Sequence, residues 1–341
     1  MTRKTAVLIC PGRGSYNKPE LGYLRRHHSD QTDLIAGFDV FRSEQGQEKI
    51  SELDSAPRYT TARHARGDNA SPLIHACAYL DALKIARDHD IVAVTGNSMG
   101  WYIALAVAGA VTPIGGFEIV NTMGTLMHDS GIGGQTIYPF VDDNWVEIPG
   151  LRDRLLDLIA RIDNQDGHEL AVSIHLGGML LVAGNTTGLV AFESAVDQVQ
   201  GRYPMRLPGH SAFHTPLQDP VAVAGRNRLG TALFADPSLP MIDGRGAIWH
   251  PKSTDTNALY AYTLGHQVVA PYDFTRAVQV AARSFAPDRF ILTGPGATLG
   301  GAIAQALIAI CWQGLDNKAA FQARQASDNP VLLSMGRDET A

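Results

Sequence analysis

The chain opens with an unbroken apolar run, Thr5-Ala6-Val7-Leu8-Ile9-Cys10, stopped by Pro11-Gly12. Such a run predicts a parallel strand buried on both faces. Residues 17–69 are polar, with a basic and histidine cluster at Arg25-Arg26-His27-His28, and predict surface helices and loops. Helical periodicity follows from Ser71 to Ala86, with Ser71-Pro72 read as the helix start. Ile91 to Thr95 predicts the next buried strand, and Trp101 to Ala110 an alanine-rich helix. The middle of the chain changes character. Leu151 to Ile162 predicts an amphipathic helix, Ala171–Ile174 and Met179–Val182 two strands around Gly177-Gly178, and Thr187 to Val199 another helix. This order predicts a small α+β unit inserted in a larger α/β layer. After Arg206 apolar strands return, the clearest being Arg289–Thr293, closed by Gly294-Pro295-Gly296. From about Ala319 the polar sequence reads as a loosely held tail.

Composition narrows the function classes. With 341 residues, 45% of them hydrophobic, the chain can bury one large core or two modest ones. A net charge of -6 gives no electrostatic footprint for nucleic acid or an anionic membrane. Cys10, Cys77 and Cys311 lie far apart without metal-type spacing, which fits a reducing cytoplasm. No apolar stretch is long enough to span a bilayer, and the first is too short for a signal-peptide core, so a cytoplasmic location is expected. His27-His28 with Asp30 reads as solvated surface, and no metal site is expected. Gly12-Arg13-Gly14 lacks the third glycine of a dinucleotide loop, since position 17 is Asn17.

Candidate chemistry concentrates at Thr95-Gly96-Asn97-Ser98-Met99-Gly100-Trp101. This is G-x-S-x-G between a strand and a helix, the context a nucleophile elbow requires. The glycines permit the sharp turn, the turn lifts the Ser98 hydroxyl above the sheet, and helix amides point at the same spot. His214, in Ala212-Phe213-His214-Thr215, is a base candidate because an imidazole exchanges protons near neutral pH.

Four motifs in order resemble the malonyl-CoA:acyl-carrier-protein transacylases and the acyltransferase domains of polyketide synthases. Pro11-Gly12-Arg13-Gly14-Ser15 resembles P-G-Q-G-S, Gly96–Gly100 resembles G-H-S-x-G, Ala212–Thr215 resembles A-F-H-[ST], and Gly294-Pro295-Gly296 resembles G-P-G. Gln267, four residues before Pro271, is similar to Q-L-x-x-P. The resemblance implies an α/β-hydrolase-like large subdomain with a parallel sheet, residues 1–127 and 206–341. It also implies an inserted ferredoxin-like α+β subdomain, residues 128–205. By the same resemblance Ser98 is the nucleophile and His214 its base, oriented by the backbone carbonyl of Gln267. The backbone amides of Arg13 and Met99 form the oxyanion hole. The implied reaction is ping-pong acyl transfer in fatty-acid or polyketide biosynthesis. No cofactor is permanently bound; acyl-CoA and the 4′-phosphopantetheine of an acyl carrier protein, the expected partner, are substrates.

Departures from the family bear on the acyl group. Counted without gaps from Ser98, Met123 stands where the transacylases hold the carboxylate-binding arginine. Methionine cannot ion-pair, so a neutral acyl group is expected in place of malonyl, with Arg13 as the alternative cation. Asn97, Trp101, Ser71 and His175 also differ from the family and are expected to shape the acyl pocket. Phe213, in contrast, matches synthase domains that accept unbranched acyl groups. Competing readings are an acyl-carrier thioesterase on the same scaffold and a non-catalytic carrier-docking homologue. A third is an ordinary α/β-hydrolase using Asp243 or Asp255 with His266.

Overall fold

A computed structural model describes residues 3–337 of the chain. One sheet holds β1 (Lys4–Cys10), β2 (His89–Gly96), β7 (Met241–Ile242), β8 (Ile248–Trp249), β10 (Arg289–Leu292) and β11 (Leu332–Ser334). Its order is β11-β10-β1-β2-β7-β8, parallel except for the β7–β8 pair. β1 is central, which explains its continuous apolar run: Ala6 to Cys10 are fully buried. β1 and β2 end on the same edge of the sheet, at Cys10 and Gly96. The turns that follow them are therefore neighbours, and the Asn97 amide donates to the Cys10 carbonyl at 3.0 Å. Crevices at the carboxyl edge of parallel strands are where such sheets bind ligands.

The second sheet contains β3 (Gly134–Pro139), β4 (Leu170–Leu176), β5 (Met179–Gly184), β6 (Met205–Arg206) and β9 (Tyr272–Asp273), in the order β6-β3-β5-β4-β9. With the helices Leu151–Asp163 and Thr186–Ala195, β3 to β6 form a β-α-β-β-α-β unit with every adjacent pair antiparallel. That is the ferredoxin-like arrangement expected from the sequence. β9 comes from the large layer and adds to β4 in parallel, so the two sheets are tied together next to Gln267.

Three sequence expectations are corrected. The helix read from Ser71 begins at Gly67 and runs to Asp88, with Pro72 inside it. Pro72 has no N–H for the Asp68 carbonyl one turn back, and Arg42 fills the gap, its Nη1 donating to that carbonyl at 2.7 Å. The helix read as 187–199 ends at Ala195, because Val199 turns back to bridge Tyr203. The tail is held: Lys318–Gln325 is a helix, and β11 pairs with β10 along Phe290↔Leu332 to Leu292↔Ser334. The sequence reading also passed over the helix Pro113–Ser130. Thr112 caps it, its side-chain oxygen accepting from the Gly115 amide at 3.0 Å, and Pro113 occupies the first turn. It crosses Gly67–Asp88 closely at Gly124, where a Cβ would lie 2.8 Å from the Gly67 carbonyl oxygen. Among the described residues no helix is long and apolar enough to cross a membrane.

Candidate active site

Ser98 sits at the tip of the turn between β2 and the helix Gly100–Val107, with φ of 55°. A left-handed non-glycine residue costs roughly 1–3 kcal/mol and persists only where its surroundings over-determine it. Here both glycines of the motif are required by contact. A Cβ on Gly96 would lie 2.2 Å from the Gly100 carbonyl group, and one on Gly100 would lie 2.2 Å from the Cys10 carbonyl oxygen. The turn is also pinned by hydrogen bonds. Tyr272 donates its hydroxyl to the Gly96 carbonyl at 2.5 Å, and the Gln267 side-chain amide donates to the Ser98 carbonyl at 3.0 Å. Tyr102 in turn donates to the Gln267 side-chain carbonyl at 2.9 Å.

His214 meets this serine. Ser98 Oγ lies 2.7 Å from His214 Nε2, and His214 Nδ1 lies 2.6 Å from the Gln267 carbonyl oxygen. A carbonyl only accepts, so Nδ1 carries the proton and Nε2 is left bare to accept from the serine hydroxyl. The Gln267 carbonyl is available for a covalent reason. Its helical partner four residues on is Pro271, which has no N–H to give. Burial holds the His214 imidazole down at about 4, the Gln267 bond opposing that only in part, so the ring is neutral near pH 7. His214 is itself left-handed, with φ of 59°. The residue before it is fixed by a chain of side chains: His210 bonds Gln135 at 2.8 Å, Gln135 donates to Ser173 at 2.6 Å, and Ser173 donates to the Phe213 carbonyl at 2.7 Å.

The pair opens into a cleft. Arg13, Ser71, Met99, Met123, Phe213 and Gln267 all line it with Ser98 and His214. The lining is otherwise mostly apolar, with Tyr102, Val120, Met127 and Val268 added to the residues singled out from sequence. Met123 brings no charge, and its thioether packs towards Gly225, where a Cβ would lie 2.7 Å from the sulfur.

Three expected pocket residues lie elsewhere. Trp101 is fully buried behind the elbow, its indole donating to Thr263 at 3.0 Å and meeting the Tyr262 ring edge-on. Asn97 faces the Pro11-Gly12 turn, and a Cβ on Gly12 would lie 3.2 Å from its side-chain nitrogen. His175 lines a separate polar depression with Arg152, Asp273 and Arg276 and does not line the cleft. The hydrolase-type partners do not assemble either. Asp243 is taken up by Arg245 and Trp249, Asp255 caps the helix Thr256–Ala261, and His266 is exposed and stacked on Tyr262. His28 is not solvated surface: it is buried against Asp81, with 2.8 Å between them.

Solved structures share this fold over most of their length. An acyl-carrier-protein S-malonyltransferase from Burkholderia pseudomallei superposes with a TM-score of 0.74 at 19% identity, covering 99% of this chain and 97% of the other. The malonyl CoA-acyl carrier protein transacylase of Coxiella burnetii gives 0.75 at 15% identity, covering 100% and 96%. The chain has the fold of the malonyl-CoA:acyl-carrier-protein transacylases. A third structure with the transacylase fold, at a TM-score of 0.74 and 17% identity over 89% and 93% of the chains, is a malonyl-transacylase in complex with its type II polyketide synthase acyl-carrier protein. In sequence, the chain is 23% identical over 239 residues to the malonyl CoA-acyl carrier protein transacylase of Salmonella typhimurium, covering 67% of this chain and 71% of that one. It is 26% identical over 223 residues to the non-reducing polyketide synthase mapC of Penicillium brevicompactum. That match takes in 64% of this chain but only 8% of the synthase. No family model matches the chain.

Proposed function

We propose that this chain is a serine-dependent acyltransferase that moves an acyl group between pantetheine thiols, from acyl-CoA or one carrier protein to an acyl carrier protein. The observation that carries this is the relay Ser98 Oγ–His214 Nε2 at 2.7 Å and His214 Nδ1–Gln267 carbonyl at 2.6 Å, set in a mostly apolar cleft. The relatives named above lend the substrate class. Ser98 attacks the thioester carbonyl as its proton passes to His214 Nε2. The backbone amides of Arg13 and Met99 stabilise the tetrahedral oxyanion. The carbon–sulfur bond then breaks, and His214 returns the proton to the departing thiolate. An acyl-serine remains, and the second pantetheine thiol reverses the steps. CoA and phosphopantetheine enter as substrates, and no resident cofactor takes part in these steps.

Intact-protein mass spectrometry after mixing with a panel of acyl-CoAs tests this reading. An adduct on Ser98 that is discharged by a holo-carrier protein is the expected result. An adduct discharged just as fast by water alone would make the chain a thioesterase, and no adduct with any acyl-CoA or acyl-carrier protein would remove the reading.

The His214 environment also sets the pH dependence. The ring must be neutral to accept the serine proton, and its folded value of about 4 lies below the ordinary 6.5. The rate constant for acylation is expected to be level from neutral pH down to about pH 5 and to fall below that. An acid limb centred at 6.5 would mean a solvated imidazole and contradict the geometry. The same depression has the opposite-looking consequence for stability. Protonation favours the unfolded chain, so the contribution is full above 6.5 and is lost as pH falls from 6.5 towards 4. His210, held at about 4, and His75, held at about 3, add to that loss through burial. Urea midpoints measured between pH 7 and 4 are expected to fall steadily, and the rate profile must be read within the range where the protein stays folded.

A further inference from the structure

Arg13 is the cation of the cleft. Its guanidinium lies 5.3 Å over the Phe213 ring and makes one long hydrogen bond, 3.4 Å, to the Gly209 carbonyl. A Cβ placed on Gly67 would lie 3.6 Å from its Cζ and 3.0 Å from the Gly124 carbonyl oxygen. The charge is therefore next to the residue that follows Met123, where the helices Gly67–Asp88 and Pro113–Ser130 cross. Among the described residues no carboxylate stands within ion-pair distance of it. The acid whose charge it feels most, Asp68, is held by both arms of Arg66 at 3.0 and 2.9 Å. The ring of His210, close by, is neutral and offers no negative charge.

A partly buried guanidinium that faces a ligand cleft without a counter-ion is costly alone and strongly favourable once a carboxylate forks onto it. The placement also limits the ligand. Arg13 lends its backbone amide to the proposed oxyanion hole and its side chain to the wall of the same cleft. An anion it holds must therefore be close in the chain to the thioester carbonyl. That excludes the phosphates of the pantetheine arm, which lie at the far end of the arm from the thioester. It fits an acyl group with a free carboxylate a few atoms away.

We propose that Arg13 binds the free carboxylate of a short dicarboxylic acyl thioester in this cleft, supplying from the Pro11–Ser15 turn the charge that Met123 does not supply from its helix. The proposal rests on the acyl-transfer reading above. It replaces the neutral acyl group expected from Met123 alone. Ser71 lines the same cleft and carries a hydroxyl able to donate to a carboxylate oxygen.

Two measurements separate this proposal from the reading beneath it. The first is the rate of Ser98 acylation by malonyl-CoA and by acetyl-CoA, read by intact mass. The wild type is expected to favour malonyl, and Arg13→Ala to lower the malonyl-to-acetyl ratio roughly 30- to 5000-fold, the range found when one partner of a buried charge pair is truncated. Arg13→Lys is expected to keep part of the ratio, because it keeps the charge and loses the fork. The second is equilibrium binding of malonyl-CoA and acetyl-CoA to the Ser98→Ala protein, with and without Arg13→Ala. It requires no chemistry, so it stands even if no acyl-serine forms. A wild type that favours acetyl, or an Arg13→Ala change that lowers both substrates equally in both measurements, overturns the proposal.

Discussion

Ser98→Ala is expected to lower the rate of acyl-enzyme formation by roughly 10⁴- to 10⁶-fold, the usual scale when a nucleophile is removed from a working serine–histidine unit. The fold should survive. Alanine keeps the Cβ, so the left-handed backbone at φ 55° is no more strained than before, and the contacts that hold the turn involve Gly96, Gly100, Gln267 and Tyr272 rather than the serine hydroxyl. What is lost is one hydrogen bond to His214, worth about 0.5–1.5 kcal/mol net. The measurement is acyl-CoA labelling followed by peptide mapping, with urea denaturation as the check on folding. Mapping matters because Cys311 is an exposed thiol that a thioester can acylate by exchange. Label that persists on the peptide carrying position 98, or a rate within tenfold of wild type, would remove Ser98 from the chemistry.

The elbow is legible because it is a local consequence of chain geometry, whereas the relay spans 116 and 53 positions and is implied only by the family resemblance. Gly96 and Gly100 are written into the motif since each meets a carbonyl group at a distance no Cβ can occupy. Gln267 and Pro271 enter through the resemblance, and the structure supplies the physical reason: the proline withholds the amide that would otherwise consume the carbonyl His214 needs. The buried central strand β1 and the strands β4 and β5 also follow from hydrophobic runs, while the ferredoxin-like order is implied by the family resemblance.

The residues that were misread depend on direction rather than identity. Trp101 is three positions after Ser98, yet the helix turns it towards Thr263 and Tyr262 and away from the cleft. His175 lies in a separate depression with Arg152 and does not line the cleft. Tyr102, Gln135, Ser173 and Tyr272 carry no motif at all. Each supports the site through a bond to a residue more than 35 positions away, so only the tertiary structure brings them in. The helix Pro113–Ser130 escaped notice because Gly115, Gly116, Asn121 and Gly124 weaken its helical signal. Gly116 and Gly124 are also where this helix comes close to Gly67–Asp88, meeting His75 and Gly67.

His214→Ala is expected to slow acylation by roughly 10³- to 10⁵-fold, while His266→Ala stays within a few-fold of wild type. The two histidines share the neighbourhood of Gln267 but not its geometry. His214 accepts from Ser98 and donates to the Gln267 carbonyl, whereas His266 is exposed and stacks on Tyr262, at 5.7 Å between ring centres. Removing the His214 ring has a second effect that a rate alone would hide. It strips the Gln267 carbonyl of its donor, and Pro271 cannot replace it, so a buried acceptor goes unsatisfied at a cost of about 1–3 kcal/mol. The variant is therefore expected to unfold at lower urea than wild type, since alanine keeps the Cβ and the strain at φ 59° is unchanged. His214→Asn separates the two effects, because its amide can donate towards the Gln267 carbonyl but cannot act as a base. It should regain much of the lost stability and none of the lost rate. If His214→Asn acylates at near the wild-type rate, the imidazole only positions the loop, and general-base catalysis must be sought elsewhere. Equal losses from His214→Ala and His266→Ala would point to an arrangement around His266 that forms only with substrate bound.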